Sequence, residues 1–235
     1  MADVDYTQPQ SRAHKMELPR HSKPRKPHPW PIRVTHWLNA PLLVLMGGSG
    51  LQILVAYPSL GSVGQPYGWY PFHGHAPPAW LTVGGWLAGA RTVHFACAWL
   101  LVGNALLYGS YLVISGEWRR RLFLLRRDTK NALAMIAHYL RLRPAPEQGL
   151  YNGLQRLAYT SALGLGALEV LSGLAIYKPL QLRRLAWLLG GYDSARAIHL
   201  VGLALLAAFT VTHLILVALH PKTLREMISG GKKHG

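Results

Sequence analysis

The sequence predicts an all-α integral membrane protein, a four-helix bundle with both termini in the cytoplasm, and three observations carry that prediction. Half of the 235 residues are apolar, and they gather into four blocks that each approach the length needed to cross a bilayer as a helix. The formal charge of +16 sits in the segments between alternate blocks, which orients the chain by the positive-inside rule and does not mark a nucleic-acid surface. The lone cysteine, Cys97, falls inside a block. No disulfide framework, Cys-x-x-Cys-His haem attachment or thiolate cluster is therefore expected, and any metal must be held by histidine.

Residues 1–30 are polar, basic and punctuated by Pro19, Pro24, Pro27 and Pro29, a composition that cannot bury a core. A disordered basic cytoplasmic tail is expected, followed by a four-span domain over 31–221 and a cytoplasmic tail over 222–235. The tail resembles the start of a signal peptide, but no small-x-small pattern closes the full-length apolar run behind it, so retention as an anchor is expected.

The first span runs from about Val34 to Tyr57, with His36 at its mouth and Gly47, Gly48 and Gly50 further along. Such glycines suit close helix contact or clearance for a flat cofactor. The loop from Pro58 to Gly89 carries Trp69, Tyr70, Phe72, Trp80 and Trp86 but no Lys or Arg, which places it on the exported side. His73 and His75 within it read as surface residues. The second span, about Thr92 to Ser115, holds His94 in its first turns. Its exit is basic, with Arg119, Arg120, Arg121, Arg126, Arg127, Lys130, Arg141 and Arg143. This loop is expected in the cytoplasm, its centre forming an amphipathic helix along the membrane surface with His138 solvated.

The third span, about Leu154 to Tyr177, has no histidine but carries Glu169 inside the hydrocarbon. A carboxylate there is paired, protonated or part of a polar path. A short loop with Arg183 and Arg184 leads to the fourth block, apolar from Leu200 to Leu219, in the stretch from Gly191 to His220. That stretch contains both His199 and His213. Fourteen residues apart on a helix, they leave one face within roughly 40° of each other, about 21 Å apart along the axis.

An ionisable side chain within a span is costly enough to imply a function. With four spans and an inside start, His36 and His213 lie toward the cytoplasmic face and His94 and His199 toward the exported face. Each pair could clamp one haem iron through both axial positions, leaving no open site for oxygen or substrate, so that such a haem only carries electrons. The pattern Arg-x-x-His recurs as Arg33–His36, Arg91–His94 and Arg196–His199. Each arginine lies one turn nearer water than its histidine, where it can donate to a haem propionate. The same histidines, with Glu169, would serve the alternative of a transporter or channel with a proton or metal path. Colour separates the two readings, since only the cytochrome shows reduced b-type bands.

The residues RVTHWLNA with SGLQI after it, His94, and SARAIHL followed by His213 resemble the bacterial di-haem membrane cytochromes b of the b-561 superfamily. That group includes nickel-iron hydrogenase cytochrome subunits, formate dehydrogenase gamma subunits and thiosulfate-reductase-type subunits, and the wording looks most like the last. The resemblance spans about Pro31 to Gly231. It implies a four-helix bundle in the bacterial inner membrane with two haems b. It also implies electron exchange between an exported oxidoreductase partner, of molybdopterin or hydrogenase type, and the quinone pool. Quinone is then the only expected substrate. In formate dehydrogenase gamma subunits an Asn-x-Gly-Gln motif opening the third span lines the quinone site. Here Asn152 and Gln155 match, with Leu154 where the glycine would be. The resemblance thus points to quinone near Asn152, Gln155 and His213, in preference to the reading of Asn152 and Gln155 as a mere helix cap, which asparagine at a helix start also suits. Glu169, at about the depth of the exported-side haem, is expected to hydrogen-bond a ligand imidazole or another polar group there.

Overall fold

The computed structural model describes residues 28–62, 65–70, 72, 75–146 and 151–230. Of the tail expected over 1–30, residues 1–27 lie outside the described residues, as do His73 and the chain end at 231–235. The protein is mostly helical: α1 (Trp30–Ala56), α2 (Leu87–Ser115), α3 (Trp118–Arg121), α4 (Leu125–Tyr139), α5 (Gly153–Tyr177), α6 (Arg183–Leu188), α7 (Tyr192–Leu219) and α8 (Pro221–Ser229). A two-residue ribbon, β1 (Gly61–Ser62) against antiparallel β2 (Gln65–Pro66), and a 3-10 turn at Ala79–Leu81 decorate the loop between α1 and α2.

Four helices, α1, α2, α5 and α7, are long and apolar enough to cross a membrane. The shortest has 25 residues, roughly 37 Å at helical rise, against a hydrocarbon thickness of about 30 Å. Their large side chains point outward: Val44, Leu106, Leu107, Ile114 and Val211 are all well exposed. A lipid-facing surface requires this, and it leaves the backbone bonded within each helix. The contacts between helices are made by small residues. Gly48, Ser49, Ala90 and Cys97 are buried where α1 packs along α2, and Ser172, Ala175, Ala195 and Gly202 where α5 packs along α7. Without a hydrophobic driving force inside lipid, such residues let helix backbones approach closely enough for dispersion to act. The molecule is thus two antiparallel hairpins, α1/α2 and α5/α7, side by side. Both described chain ends lie at one end of the bundle, the terminal end, and the α1–α2 loop lies at the other, the loop end.

Helices α6 and α8 fall where the sequence suggests only loop or tail. Helix α6 forms because Ala186 packs with Ala175 and Ala195, backed by Ile176, Leu185 and Leu189. Helix α8 starts on Pro221, which suits the first helical position, and stops at Gly230 in the left-handed conformation. Helix α7 begins at Tyr192, within the stretch from Gly191 expected to hold the fourth span. The amphipathic segment expected after the second span is α4. Its buried face, Asp128, Ala132 and Met135, lies against α5 at the terminal end, where Gly153 passes so close that a Cβ would stand 2.5 Å from the Asp128 carbonyl.

A buried polar network ties α3 and α4 to α5. Glu117 accepts from Arg120 at 2.9 Å and from Arg121 at 3.0 Å, and Arg121 also donates to the Tyr151 hydroxyl at 2.9 Å. Asp128 accepts from Arg127 and Arg156, each at 2.7 Å, and from the Leu124 amide at 2.8 Å. These bonds close the α4 segment over the terminal end of the second hairpin.

Candidate functional site

The four span histidines come together as two opposed pairs, one near each end of the bundle. At the loop end, His94 of α2 faces His199 of α7 with ring centroids 6.3 Å apart and planes 70° from parallel. At the terminal end, His36 of α1 faces His213 of α7 at 6.0 Å and 57°. Helix α7 supplies one member of each pair from a single face, as the fourteen-residue spacing requires. Trp37 stands edge-on to His36, and Phe209 stacks on His213.

Each loop-end imidazole is held by its own hairpin. Ser49 Oγ of α1 lies 3.0 Å from His94 Nδ1, and Ser172 Oγ of α5 lies 2.9 Å from His199 Nδ1. Glu169 Oε2 stands 3.1 Å from the same His199 Nδ1. Its other oxygen is buried against Gly202, where a Cβ would collide with it. Ser49 opens the SGLQI string that carries the resemblance, but neither serine is given a role in the site by the sequence alone. The signal that finds them is a repeat, Ser49-Gly50-Leu51-Gln52-Ile53 in α1 and Ser172-Gly173-Leu174-Ala175-Ile176 in α5.

A family model described as prokaryotic cytochrome b561 matches residues 27–230. A protein of Azospira oryzae, provisionally named protein-methionine-sulfoxide reductase subunit YedZ1, is 39% identical over 202 residues, covering 86% of this chain and 94% of its own length. The chain belongs to the prokaryotic cytochrome b561 family. It is a multi-pass membrane cytochrome b, a haem-binding electron-transport protein of the oxidoreductase-subunit kind.

The histidine pairs of the cytochrome fit a haem iron. A metal-bound imidazole nitrogen lies about 2 Å from its metal, so two imidazoles on opposite sides of one ion put their ring centroids roughly 6 Å apart, close to both separations found. Among the described residues no three His, Cys, Asp or Glu side chains converge as a protein-only metal cage would require. Two protein ligands suffice where a macrocycle supplies the rest. Glycine lets the rings themselves lie close against the neighbouring helix: a Cβ on Gly50 would stand 3.4 Å from His94 Cε1, and one on Gly173 3.2 Å from His199 Cε1.

Of the three arginines one turn from these histidines, Arg196 donates to the Ser59 carbonyl at 2.9 Å and stacks over Tyr57. Arg33 donates to the Met227 carbonyl at 3.1 Å and also to that of Ile228, so it holds the end of α8. Arg91 is exposed and lies over the Phe95 ring. All three stay at the bundle ends, and two of them spend donors on backbone carbonyls. His28, just outside α1 at the terminal end, is held neutral with its pKa lowered to about 4, by burial first and then by Arg121, His36 and Arg33.

Asn152 and Gln155 form a reciprocal capping box at the start of α5. The Asn152 side chain accepts from the Gln155 amide at 2.8 Å, and the Gln155 side chain accepts from the Asn152 amide at 3.1 Å. The oxygens of both side chains are committed to the cap. What either can offer a bound molecule is its NH2 group, from a buried position for Asn152 and an exposed one for Gln155.

Proposed function

We propose that this chain is the di-haem, quinone-linked membrane subunit of a respiratory oxidoreductase in a bacterial inner membrane. In this reading His94 and His199 are the axial ligands of one haem b near the exported face. His36 and His213 hold a second near the cytoplasmic face, with both termini in the cytoplasm. The observation that carries the reading is the pair of opposed imidazole sets at two depths of one bundle. Two imidazoles on each iron exclude substrate from the metal, so a haem bound there supplies one-electron transfer only. The chain's own part is to fix the four imidazoles, keep the rings in a dry bundle, and present Arg33, Arg91 and Arg196 toward propionates at the water edge. Arg33 and Arg196 would then share their guanidinium donors between a propionate and the carbonyls they already bind.

The relative's name, a protein-methionine-sulfoxide reductase subunit, supports a catalytic partner subunit that acts on oxidised methionine, and we place that partner on the exported side. Quinone is placed at the terminal end, near His213, with the amide NH2 groups of Asn152 and Gln155 as its donors. The positive-inside rule sets the sides: the basic α3–α4 segment and both termini lie inside. Two measurements test the proposal together. A reporter active only outside the cytoplasm, fused after Gly235, should stay silent, and membranes given a reduced quinone analogue should show b-type haem reduction. A strong reporter signal inverts the sides, and haem that quinol leaves oxidised removes the quinone link.

A further inference from the structure

We propose that Ser49 and Ser172 are a matched pair of positioning residues that set the tautomer and ring plane of both axial imidazoles at the loop end. The proposal rests on the reading of His94 and His199 as haem ligands.

Both serines are fully buried, and each hydroxyl has one proton to give. Ser49 Oγ is 2.6 Å from the Leu45 carbonyl, and Ser172 Oγ is 2.7 Å from the Leu168 carbonyl. Both are the carbonyl one turn back, which can only accept. With its proton spent there, each hydroxyl meets the facing Nδ1 with a lone pair, so Nδ1 must carry the hydrogen. The neutral imidazole then has its free lone pair on Nε2, the nitrogen left for a metal. The bond also fixes rotation about the side chain, because turning the ring swings Nδ1 away from a hydroxyl that its own helix holds in place.

The device is duplicated. In the first hairpin α1 carries Ser49-Gly50 and α2 carries Arg91-x-x-His94; in the second α5 carries Ser172-Gly173 and α7 carries Arg196-x-x-His199. In each, the glycine after the serine lies against the imidazole Cε1 edge; a Cβ on Gly173 would press on the His199 ring at 3.2 Å, and one on Gly50 would just touch the His94 ring at 3.4 Å. Serine and glycine together define one slot per ring, and the two slots hold the planes 70° apart.

One position breaks the repeat. Three residues before the serine stands Met46 in α1 but Glu169 in α5. A carboxylate oxygen therefore stands 3.1 Å from His199 Nδ1 as a second side-chain neighbour able to take over from Ser172, while Ser49 is the side-chain partner found for His94 Nδ1. Removing Ser49 should consequently matter more than removing Ser172.

The test uses the full-length cytochrome purified from membranes, comparing Ser49→Ala, Ser172→Ala, Ser172→Ala with Glu169→Gln, and Ser49→Thr. Haem content comes first, then the ferric electron paramagnetic resonance spectrum and the midpoint potential of each haem. Crossed imidazole planes give a low-spin ferric signal with a large maximal g value. Ser49→Ala should reduce that g value for the loop-end haem, as the freed ring relaxes. It should also raise that haem's potential, because an imidazole that loses an Nδ1 acceptor donates less to ferric iron. Ser172→Ala alone should shift both less, and the double variant should match Ser49→Ala. Ser49→Thr should restore the original spectrum. Normal haem content in Ser49→Ala with spectrum and potential unchanged overturns the inference, as does a Ser172→Ala effect as large as that of Ser49→Ala. If Ser49→Ala loses the loop-end haem, recovery by Ser49→Thr supports the role, and a threonine variant equally empty overturns it. A wild-type protein without haem instead defeats the ligand reading itself.

Discussion

Replacing Asp128 by asparagine should loosen α4 from the bundle without touching the histidine pairs. The carboxylate is buried and receives Arg127, Arg156 and the Leu124 amide. Arg127 is 40% exposed, so water can take over its charge, but the Arg156 side chain is 16% exposed and would keep an unpaired charge in a mostly dry place. Breaking a buried pair from one side costs about 3–5 kcal/mol, and the partial access of Arg156 puts the expected loss at the lower end, about 3 kcal/mol. The hydrogen bond from Arg127 first, then the Leu124 amide and Arg156, holds the Asp128 carboxyl far below the usual carboxylate range, against the opposing effect of burial. A carboxyl depressed in the folded state contributes stability that is fully present above its unfolded pKa of about 3.9. That contribution is lost as pH falls through the folded value. The deficit of Asp128→Asn relative to wild type should therefore be flat from pH 8 to pH 5 and shrink only in acid below about pH 4. Hydrogen exchange across α4, with haem absorbance as the control, reads both effects. Unchanged protection of α4, or a deficit that varies between pH 8 and pH 5, refutes the argument.

Three further outcomes follow from the site. His199→Ala should remove the loop-end haem and His213→Ala the terminal-end haem, read as loss of one of two b-type components; loss of the opposite component in either would refute the pairing. Glu169→Gln, measured by potentiometric titration, should raise the potential of the loop-end haem and leave the other unchanged, since a neutral amide is a weaker acceptor for His199 Nδ1. An identical titration in the variant removes Glu169 from the account. Asn152→Asp keeps the capping oxygen but loses the NH2 group, so it should preserve stability while slowing quinone exchange, whereas Asn152→Ala should also cost about 1 kcal/mol of stability. Normal exchange in both moves the quinone elsewhere.

Hydropathy made the spans legible because each helix faces lipid on most of its circumference, so its apolar content is visible without knowing its neighbours. The pairing of His36 with His213 and His94 with His199 was equally readable. Depth follows from position along a span, and the fourteen-residue interval puts both α7 histidines on one face. What could not be read was how polar groups are divided among partners. Arg33 and Arg196 mark helix mouths in the sequence, yet they bind carbonyls of α8 and of the α1–α2 loop, contacts set by chain segments far away in sequence. Asn152 and Gln155 fit both a cap and a ligand site by spacing, and the cap takes their oxygens. Ser49 entered only as part of the SGLQI string and Ser172 not at all, because a serine beside a glycine in a span reads as packing. Only the repeat of Ser-Gly-Leu-x-Ile, matched to the repeat of Arg-x-x-His, distinguishes them.

The central claim, two haems each held between one histidine of the first hairpin and one of α7, is tested most directly by a pyridine haemochrome titration of the purified chain joined to a redox titration. The account predicts two haems b per polypeptide, released without breaking a covalent bond, and reduced b-type bands that resolve into two components. A colourless pure protein, or one haem per chain, would contradict it, and the colourless result would return the histidines and Glu169 to the reading of a proton or metal path.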